Sequence, residues 1–400
     1  IKDRALQVLV KMALEPEWEA RFEPNSYGFR PGRSCHDAIQ AIYDAIRYKA
    51  KYVLDADIAT CFDRIDHNSL LRKLNTSPTI RRQVRAWLKS GVIDWNAYDN
   101  RRKTYSHTPE GILQGGIIPL LANIALHGIE NRIRQAFPER KIYQGSKYVG
   151  LQNPAILIRY TDDFVVLHED LGVVQKCQQI LTTWLKDMGL ELKTSETRLV
   201  HTLNQYGEEK PGFDFLGFTI RHYVCGQYKS GKYKGKSLGF KSIITPSDEK
   251  LKQHTKKISK TIQTHRAATQ RELISNLNPI IQGWATYYSS VVSSKVYSKA
   301  DKLTYQQLRT WAKRRHSSKT AKWTAQKYWQ TIGQDRWRFA TKDKQWNLTK
   351  HSETKIERHV KVQGERSPYD GDWMYWSSRM GSTLKQLNEL DEEWLDASPF

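Results

Sequence analysis

The stretch RYTDDFVVL, residues 159–167, sets Asp162 and Asp163 side by side and follows them with Phe164, Val165, Val166 and Leu167. About one hundred residues earlier, DADIATCFDRID carries Asp55, Asp57, Asp63 and Asp66 around the end of an apolar run. Adjacent carboxylates at the edge of a core repel one another and take up protons unless a cation neutralises them. Acids from two strands that meet at one point form an all-oxygen site. Such a site suits Mg²⁺, which takes a few carboxylates and leaves its other positions to water and substrate phosphates. Two such ions ~4 Å apart activate a hydroxyl nucleophile and stabilise a departing pyrophosphate in an in-line displacement. Taken alone, Y-x-D-D is a short motif, and a solvated turn capped by acids reads it equally well.

These acids need elements to position them. AILI at 155–158 and FVVL at 164–167 predict two strands joined by a tight turn, with the acids at its tip. YVLDADI at 52–58 predicts a strand, and a helix follows from about Asp66 to Leu74. Helical spacing runs through 1–24 (Leu6, Leu9, Val10, Ala13, Leu14), 35–50 (Ile39, Ile42, Ile46), 79–91 and 172–188. NSYGFRPGRS at 25–34 reads as a Gly/Pro loop with two arginines, and GILQGGIIPLLANIAL at 111–126 as a Gly loop entering an apolar helix. A strand is expected near 197–203, and a strand or hairpin at GFDFLGFTI, 212–220. CGQYKSGKYKGKSLGF at 225–240 reads as a basic linker. Beyond about 246 the pattern is helical, with Leu273, Leu277, Ile280, Ile281, Trp284 and Tyr288 on one face.

The chain has 400 residues and a formal net charge of +22, yet 39% of it is hydrophobic and it holds 13 Trp, so it is not a disordered polycation. A globular protein this basic meets a polyanion, nucleic acid first and an anionic membrane surface second. No apolar run approaches the ~20 residues that span a bilayer, and no signal-peptide pattern opens the sequence. Cys35, Cys61, Cys177 and Cys225 form no CxxC pair, which argues against a zinc ribbon or a disulfide scaffold. Charge is unevenly spread. Residues 250–330 hold 17 Lys/Arg against 2 Asp/Glu, while 381–400 hold one Lys against five acids. A chemical half and a gripping half are the natural reading.

The order of motifs then carries a resemblance. SYGFRPGRSCHDAI at 26–39, Asp57 with Phe62 five residues on, QGG at 114–116, PLLANIALHGIE at 119–130, Y-x-D-D, GLEL at 189–192, TRLVHT at 197–202 and FLGF at 215–218 resemble the fingers and palm of a reverse transcriptase. LNPIIQGWATYY at 277–288 resembles the helical thumb, or domain X, of group II intron-encoded reverse transcriptase/maturases. RHVKVQGERSPYDGDWMYWSSRMG at 358–381 is similar to the start of their DNA-binding region. The resemblance implies an α+β, right-hand polymerase-like fold with an antiparallel palm sheet. Fingers and palm would occupy 1–240, the thumb 241–345 and a partial DNA-binding region 346–400.

It also implies roles for matched positions. Asp57, Asp162 and Asp163 would be the catalytic, Mg²⁺-binding triad. Arg30, Phe62, Gln114 and Gly115 would bind the incoming nucleotide: Arg30 at the triphosphate, Phe62 at the sugar 2′ position, Gln114 and Gly115 at the templating pocket. The open alternatives are a loop-stabilising arginine, a packed core Phe and a Gly-rich helix entry. Phe215, Leu216 and Gly217 would form the primer grip, or be ordinary core. Trp284, Tyr287, Trp311, Lys313, Arg314, Arg315, Lys319, Trp323 and Lys327 would grip RNA, since cations neutralise phosphates and rings stack on splayed bases. Arg358, His359, Lys361, Tyr369 and Trp373 would contact target DNA.

The implied function is intron binding, assistance in splicing and reverse splicing, and target-primed synthesis of DNA on RNA from dNTPs. The implied setting is a bacterial cytoplasmic, nucleoid-associated ribonucleoprotein, with no membrane partner. Four departures from the family pattern point to a chain kept for splicing. The sequence opens inside an early fingers block, QGGIIPLL lacks a Ser before Pro119 and has Leu113 where Pro is usual, Thr194 and Glu196 replace Pro and Lys, and Thr161 replaces Ala. A splicing-only maturase is the first alternative and a reverse transcriptase of another retroelement the second. The absence of CxxC pairs up to LDASPF predicts no HNH endonuclease in this chain.

Overall fold

The computed structural model describes residues 2–59, 64–89, 92–93, 105–106, 116–226, 232–233 and 235–379. Within these, the chain divides into two compact units, one of 2–213, 222–242 and 360–379, the other of 214–221 and 243–359. The region expected as a separate 346–400 domain is thus divided between them, as far as it is described.

The first unit is α+β. Its helices include α1 (Lys2–Glu19), α2 (Cys35–Ile46), α3 (His67–Leu74), α4 (Pro78–Lys89), α5 (Ile118–Leu126), α6 (Ile129–Ala136) and α7 (Leu171–Lys186). The strands β1 (Tyr52–Ala56), β2 (Ile156–Tyr160), β3 (Asp163–His168) and β4 (Arg198–His201) form one antiparallel sheet in the order β2-β3-β1-β4. Local chemistry accounts for several boundaries. Asp66 caps α3 by accepting from the Ser69 amide, and Asp170 caps α7 by accepting from Gly172. Helix α5 is apolar apart from Asn123 and is buried from Leu120 to Leu126, as suits a helix inside a core. Leu54, Phe164 and Val166 of the sheet pack with α1, α5 and α7 through Leu14, Leu121 and Leu181.

The loop at 25–34 is tied down by buried polar groups. Arg159 donates from Nη1 to Asn123 Oδ1 and the Thr161 carbonyl, and from Nη2 to Ser26 Oγ. Its backbone exchanges hydrogen bonds with Asn25 and Tyr27. Asn123 in turn donates to the Gly28 carbonyl at 2.8 Å. Gly28 must be glycine here, because a Cβ would stand 2.5 Å from the Thr161 amide nitrogen.

Arg30, which the resemblance puts at the incoming triphosphate, is turned into the protein instead. Its side chain is fully buried, donates to both oxygens of Glu19 and to the carbonyls of Glu23 and Ser26, and lies over the Phe22 ring. With its donors engaged it serves as the loop-stabilising arginine. Residues 360–379 also close on this loop. Arg379 pairs with both oxygens of buried Asp37, the Val362 amide donates to Asp37, and Trp376 fills the space a Cβ on Gly32 would need.

The second unit contains α8 (Asp248–Thr264), α9 (Gln270–Tyr287), α10 (Ser294–Arg315) and α11 (Ala321–Tyr328). Ser247, Thr269 and Thr320 cap three of them by accepting from Lys250, Glu272 and Trp323 amides. Leu273, Leu277 and Ile281 form the buried stripe of α9, with Ile258, Leu308 and Phe339 against it. Two findings depart from the sequence reading. The unit is not wholly helical, because Trp329–Ile332 (β5) and Asp335–Phe339 (β6) form a hairpin whose turn uses Gly333 at φ 57°. Trp311 is core rather than an RNA-facing ring: it is 4% exposed, and its Nε1 donates to the His265 carbonyl. Four aromatic rings, Trp311, Tyr328, Trp329 and Phe339, supply apolar area that pure helix packing would leave uncovered.

Arg30→Met leaves Glu19 as an unpaired buried carboxylate, so it should destabilise the chain by about 3–5 kcal/mol in urea denaturation. Unchanged stability with a raised KM for dNTP would instead restore Arg30 to the nucleotide.

Candidate active site

Register brings the acids together. The β1–β3 ladder pairs Leu54 with Val166, Asp55 with Val165 and Ala56 with Phe164. One step further places Asp57 opposite Asp163. On the other side, β2 pairs Tyr160 with Asp163 and leaves Thr161 and Asp162 as the two-residue turn. Thr161 takes φ 57°, a positive value that suits the twist of a tight hairpin but strains a β-branched residue. The Arg159 guanidinium on its carbonyl and the close approach of Gly28 hold it there.

The site is strongly anionic. Burial first, then Asp162, Asp57, Asp55 and Glu196, push the Asp163 carboxyl from its ordinary 3.8 up to about 7. Burial, Asp162 and Glu196 likewise raise Asp57. Asp55 is neutralised by Arg198, 2.9 Å away. The segment after α7 adds a cation, because the Lys193 amide donates to the Asp57 carbonyl and the Lys193 Nζ lies 3.8 Å from Asp57 Oδ2. Among the described residues no three Asp, Glu, His or Cys side chains close up far enough to enclose an ion by themselves. The donors are nevertheless hard oxygens, and one lysine 3.8 Å from Asp57 offsets only part of their charge. That combination fits an ion whose shell is completed by water and phosphate rather than a closed protein cage.

Other expected site residues fall variously. Phe62, Gln114 and Gly115 lie outside the described residues. Phe215 is buried, and Leu216 and Gly217 form a turn with both φ positive, 50° and 84°. Tyr288 donates to the Gly217 carbonyl at 3.3 Å, while Phe218 packs on Tyr287 and Tyr288. Tyr287 is exposed, whereas Trp284 is half-buried and stacked on His254. Lys313, Arg314 and Arg315 end α10, where cations also suit the helix dipole. Arg315 donates to the carbonyls of Arg266 and Ala268. Trp323 is 36% exposed, with the ammonium groups of Lys319 and Lys327 at 5.6 and 5.1 Å from its ring. Arg358 and His359 belong to the second unit, and Lys361, Tyr369 and Trp373 to the first. Tyr369 donates to Glu15 at 3.0 Å, while Trp373 is 82% exposed.

Sequence reasoning missed Arg159, Asn123 and Lys193. Arg159 carried a signal, since an arginine inside a strand predicted to be buried needs several acceptors. Lys193 carried none beyond standing three residues before Glu196.

The family described as "Reverse transcriptase (RNA-dependent DNA polymerase)" matches residues 1–220. The match covers more than half of the chain, and the chain belongs to the reverse transcriptase family. The family described as "Group II intron, maturase-specific domain" matches residues 251–329, which narrows the assignment to the reverse transcriptase/maturases of group II introns. The group II intron-encoded protein LtrA of Lactococcus lactis subsp. cremoris is 28% identical over 360 residues, 72% of this chain. Protein YkfC of Escherichia coli is 29% identical over 249 residues, 55% of this chain. The chain spans 56% of the first relative's length and 61% of the second's. Among solved structures, telomerase from Candida albicans with a fragment of telomeric RNA aligns at TM-score 0.38 and 12% identity, covering 83% of this chain and 57% of that one. Reverse transcriptases generally use divalent metal ions. No described helix is long and apolar enough to cross a membrane.

Because Asp163 holds its proton more tightly folded than unfolded, its contribution to stability is full below the unfolded value of 3.8 and is lost as pH rises through about 7. Asp163→Asn should therefore raise the metal-free Tm at pH 8, by the equivalent of up to a few kcal/mol, and change it little at pH 4. An equal change at both pH values would show that Asp163 is not the perturbed group.

Proposed function

We propose that this protein is an RNA-directed DNA polymerase that binds a group II intron RNA, assists its splicing and reverse splicing, and copies it by target-primed synthesis. The observation that carries the reading is the convergence of Asp57 with Asp162 and Asp163 at the ends of neighbouring strands. In this reading the three carboxylates hold Mg²⁺. Bound there, the ion supplies Lewis-acid activation of a primer 3′-hydroxyl and neutralises charge on the departing pyrophosphate. The chain's own part is positional. The hairpin fixes Asp162 and Asp163, Arg159 locks the turn, and the β1–β3 register fixes Asp57 against it. Phe62, Gln114 and Gly115 act on the incoming dNTP, and the turn at Leu216 and Gly217 supports the primer.

RNA is held by the second unit, where 17 Lys/Arg stand against 2 acids across residues 250–330. Lys319, Trp323 and Lys327 form a basic aromatic patch, which suits phosphate contact beside base stacking. The working location is the bacterial cytoplasm, in a ribonucleoprotein with target DNA as a second partner. Trp373, Arg358 and Lys361 are the residues assigned to that DNA. A splicing-only maturase is the second reading, favoured by Glu196 at the position where the family carries a lysine.

Primer extension on an RNA template with Mg²⁺ and dNTPs separates the two readings. Asp162→Ala with Asp163→Ala should lower synthesis by at least a thousandfold while intron binding persists. Loss of RNA binding as well would make these acids structural. No synthesis by unmodified protein that still supports splicing would leave the maturase reading. Trp323→Ala should weaken intron binding by about 1–3 kcal/mol, in line with the stacking of a base on an aromatic ring. An unchanged Kd in a filter-binding assay would remove Trp323 from the interface.

A further inference from the structure

The cation beside Asp57 has a second carboxylate partner. Lys193 Nζ lies 2.5 Å from Glu196 Oε1 and 3.8 Å from Asp57 Oδ2, so one ammonium bridges two acids. Glu196 and Asp57 act on each other electrostatically, and Asp163 adds to the negative field at Lys193. The arrangement is built by the backbone. Leu192 bridges to Ile58, the Ala59 amide donates to the Glu191 carbonyl at 3.0 Å, and the Glu196 amide closes a turn on Lys193 at 3.0 Å. Thr197 Oγ1 donates to the same Lys193 carbonyl. The ammonium thus lies between two convergent carboxylates, one of them assigned above to the cation site.

We propose that Lys193 is a built-in counter-ion of the carboxylate cluster, and that Glu196 is an additional acid of the same cation position. In the metal-free protein the ammonium screens Asp57. A divalent cation entering the cluster takes over Asp57, and the ammonium stays on Glu196, which keeps the lysine from leaving and limits the charge the cleft must absorb. The Lys193–Glu196 pair thereby sets the affinity of the cleft for divalent cations. This rests on the reading of Asp57, Asp162 and Asp163 as a cation site. Both side chains are largely solvated, which limits each to a modest Coulomb effect, and a unit charge at this range in water corresponds to about a fivefold change in affinity.

Mn²⁺ titration of the full chain, read by the loss of the free-ion EPR signal, tests the proposal without any turnover. Lys193→Gln should bind Mn²⁺ about fivefold more tightly than the unmodified protein. Glu196→Gln should bind it about fivefold more weakly, and the double variant should return close to the starting affinity because the two charge changes cancel. Asp163→Asn is the reference variant. If it weakens Mn²⁺ binding while Lys193→Gln leaves affinity unchanged or lowers it, the counter-ion role is overturned and the carboxylate site stands. If Asp163→Asn changes nothing, the cation site fails and the counter-ion role fails with it.

Discussion

The structure depends on the register between two neighbouring antiparallel strands. A shift of one residue between β1 and β3 would send Asp57 to the opposite face and leave Asp163 facing an apolar neighbour. Strand order supplies the rest, since β3 lies between β1 and its own hairpin partner β2. The turn acids therefore emerge beside a strand contributed by a distant part of the chain. The cost is concentrated like charge, visible in the upward displacement of Asp163 and Asp57.

The first unit separates its ionic groups into two kinds. Arg30 with Glu19, Arg379 with Asp37 and Arg198 with Asp55 are matched pairs, the first two buried or nearly so. Such pairs give little net stability against well-packed apolar groups, but breaking one is expensive. The first two hold a loop rich in glycine and proline in a single conformation under the aspartate turn. The carboxylates of Asp57 and Asp163 lie among further acids, offset in part by a lysine 3.8 Å from Asp57 and by a backbone hydrogen bond from Ile58 to Asp57. Rigid matched charges thus position unmatched ones, and the unmatched ones are where a mobile cation has most to gain.

The second unit divides its aromatic residues in a comparable way. Trp311, Tyr328, Trp329 and Phe339 are buried together, whereas Trp323 remains at the surface under two lysines. Residues of one type in one segment thus serve packing and recognition separately, and only their position in the fold distinguishes them. The cluster of cations at the end of α10 likewise combines local helix chemistry with an exposed basic surface.

Much of this was legible in the sequence, and the boundary has a physical cause. Apolar periodicity located the β2–β3 hairpin with its acids at the tip, strand β1 and the helical pattern beyond residue 246, because alternation and helical spacing are local properties. Net charge pointed to a polyanion for the same reason: it is additive along the chain. Arg30 and Trp311 were misplaced because exposure is a property of the surroundings, and Glu19 and His265, which engage them, lie 11 and 46 residues away. Lys193 was invisible because its meaning comes from Asp57, brought alongside by a backbone bridge between distant segments. Sequence alone determined which residues could do the chemistry and which elements carry them. Tertiary structure decided which charges are cancelled and which are left open, since pairing acts through a few ångströms of space rather than along the chain.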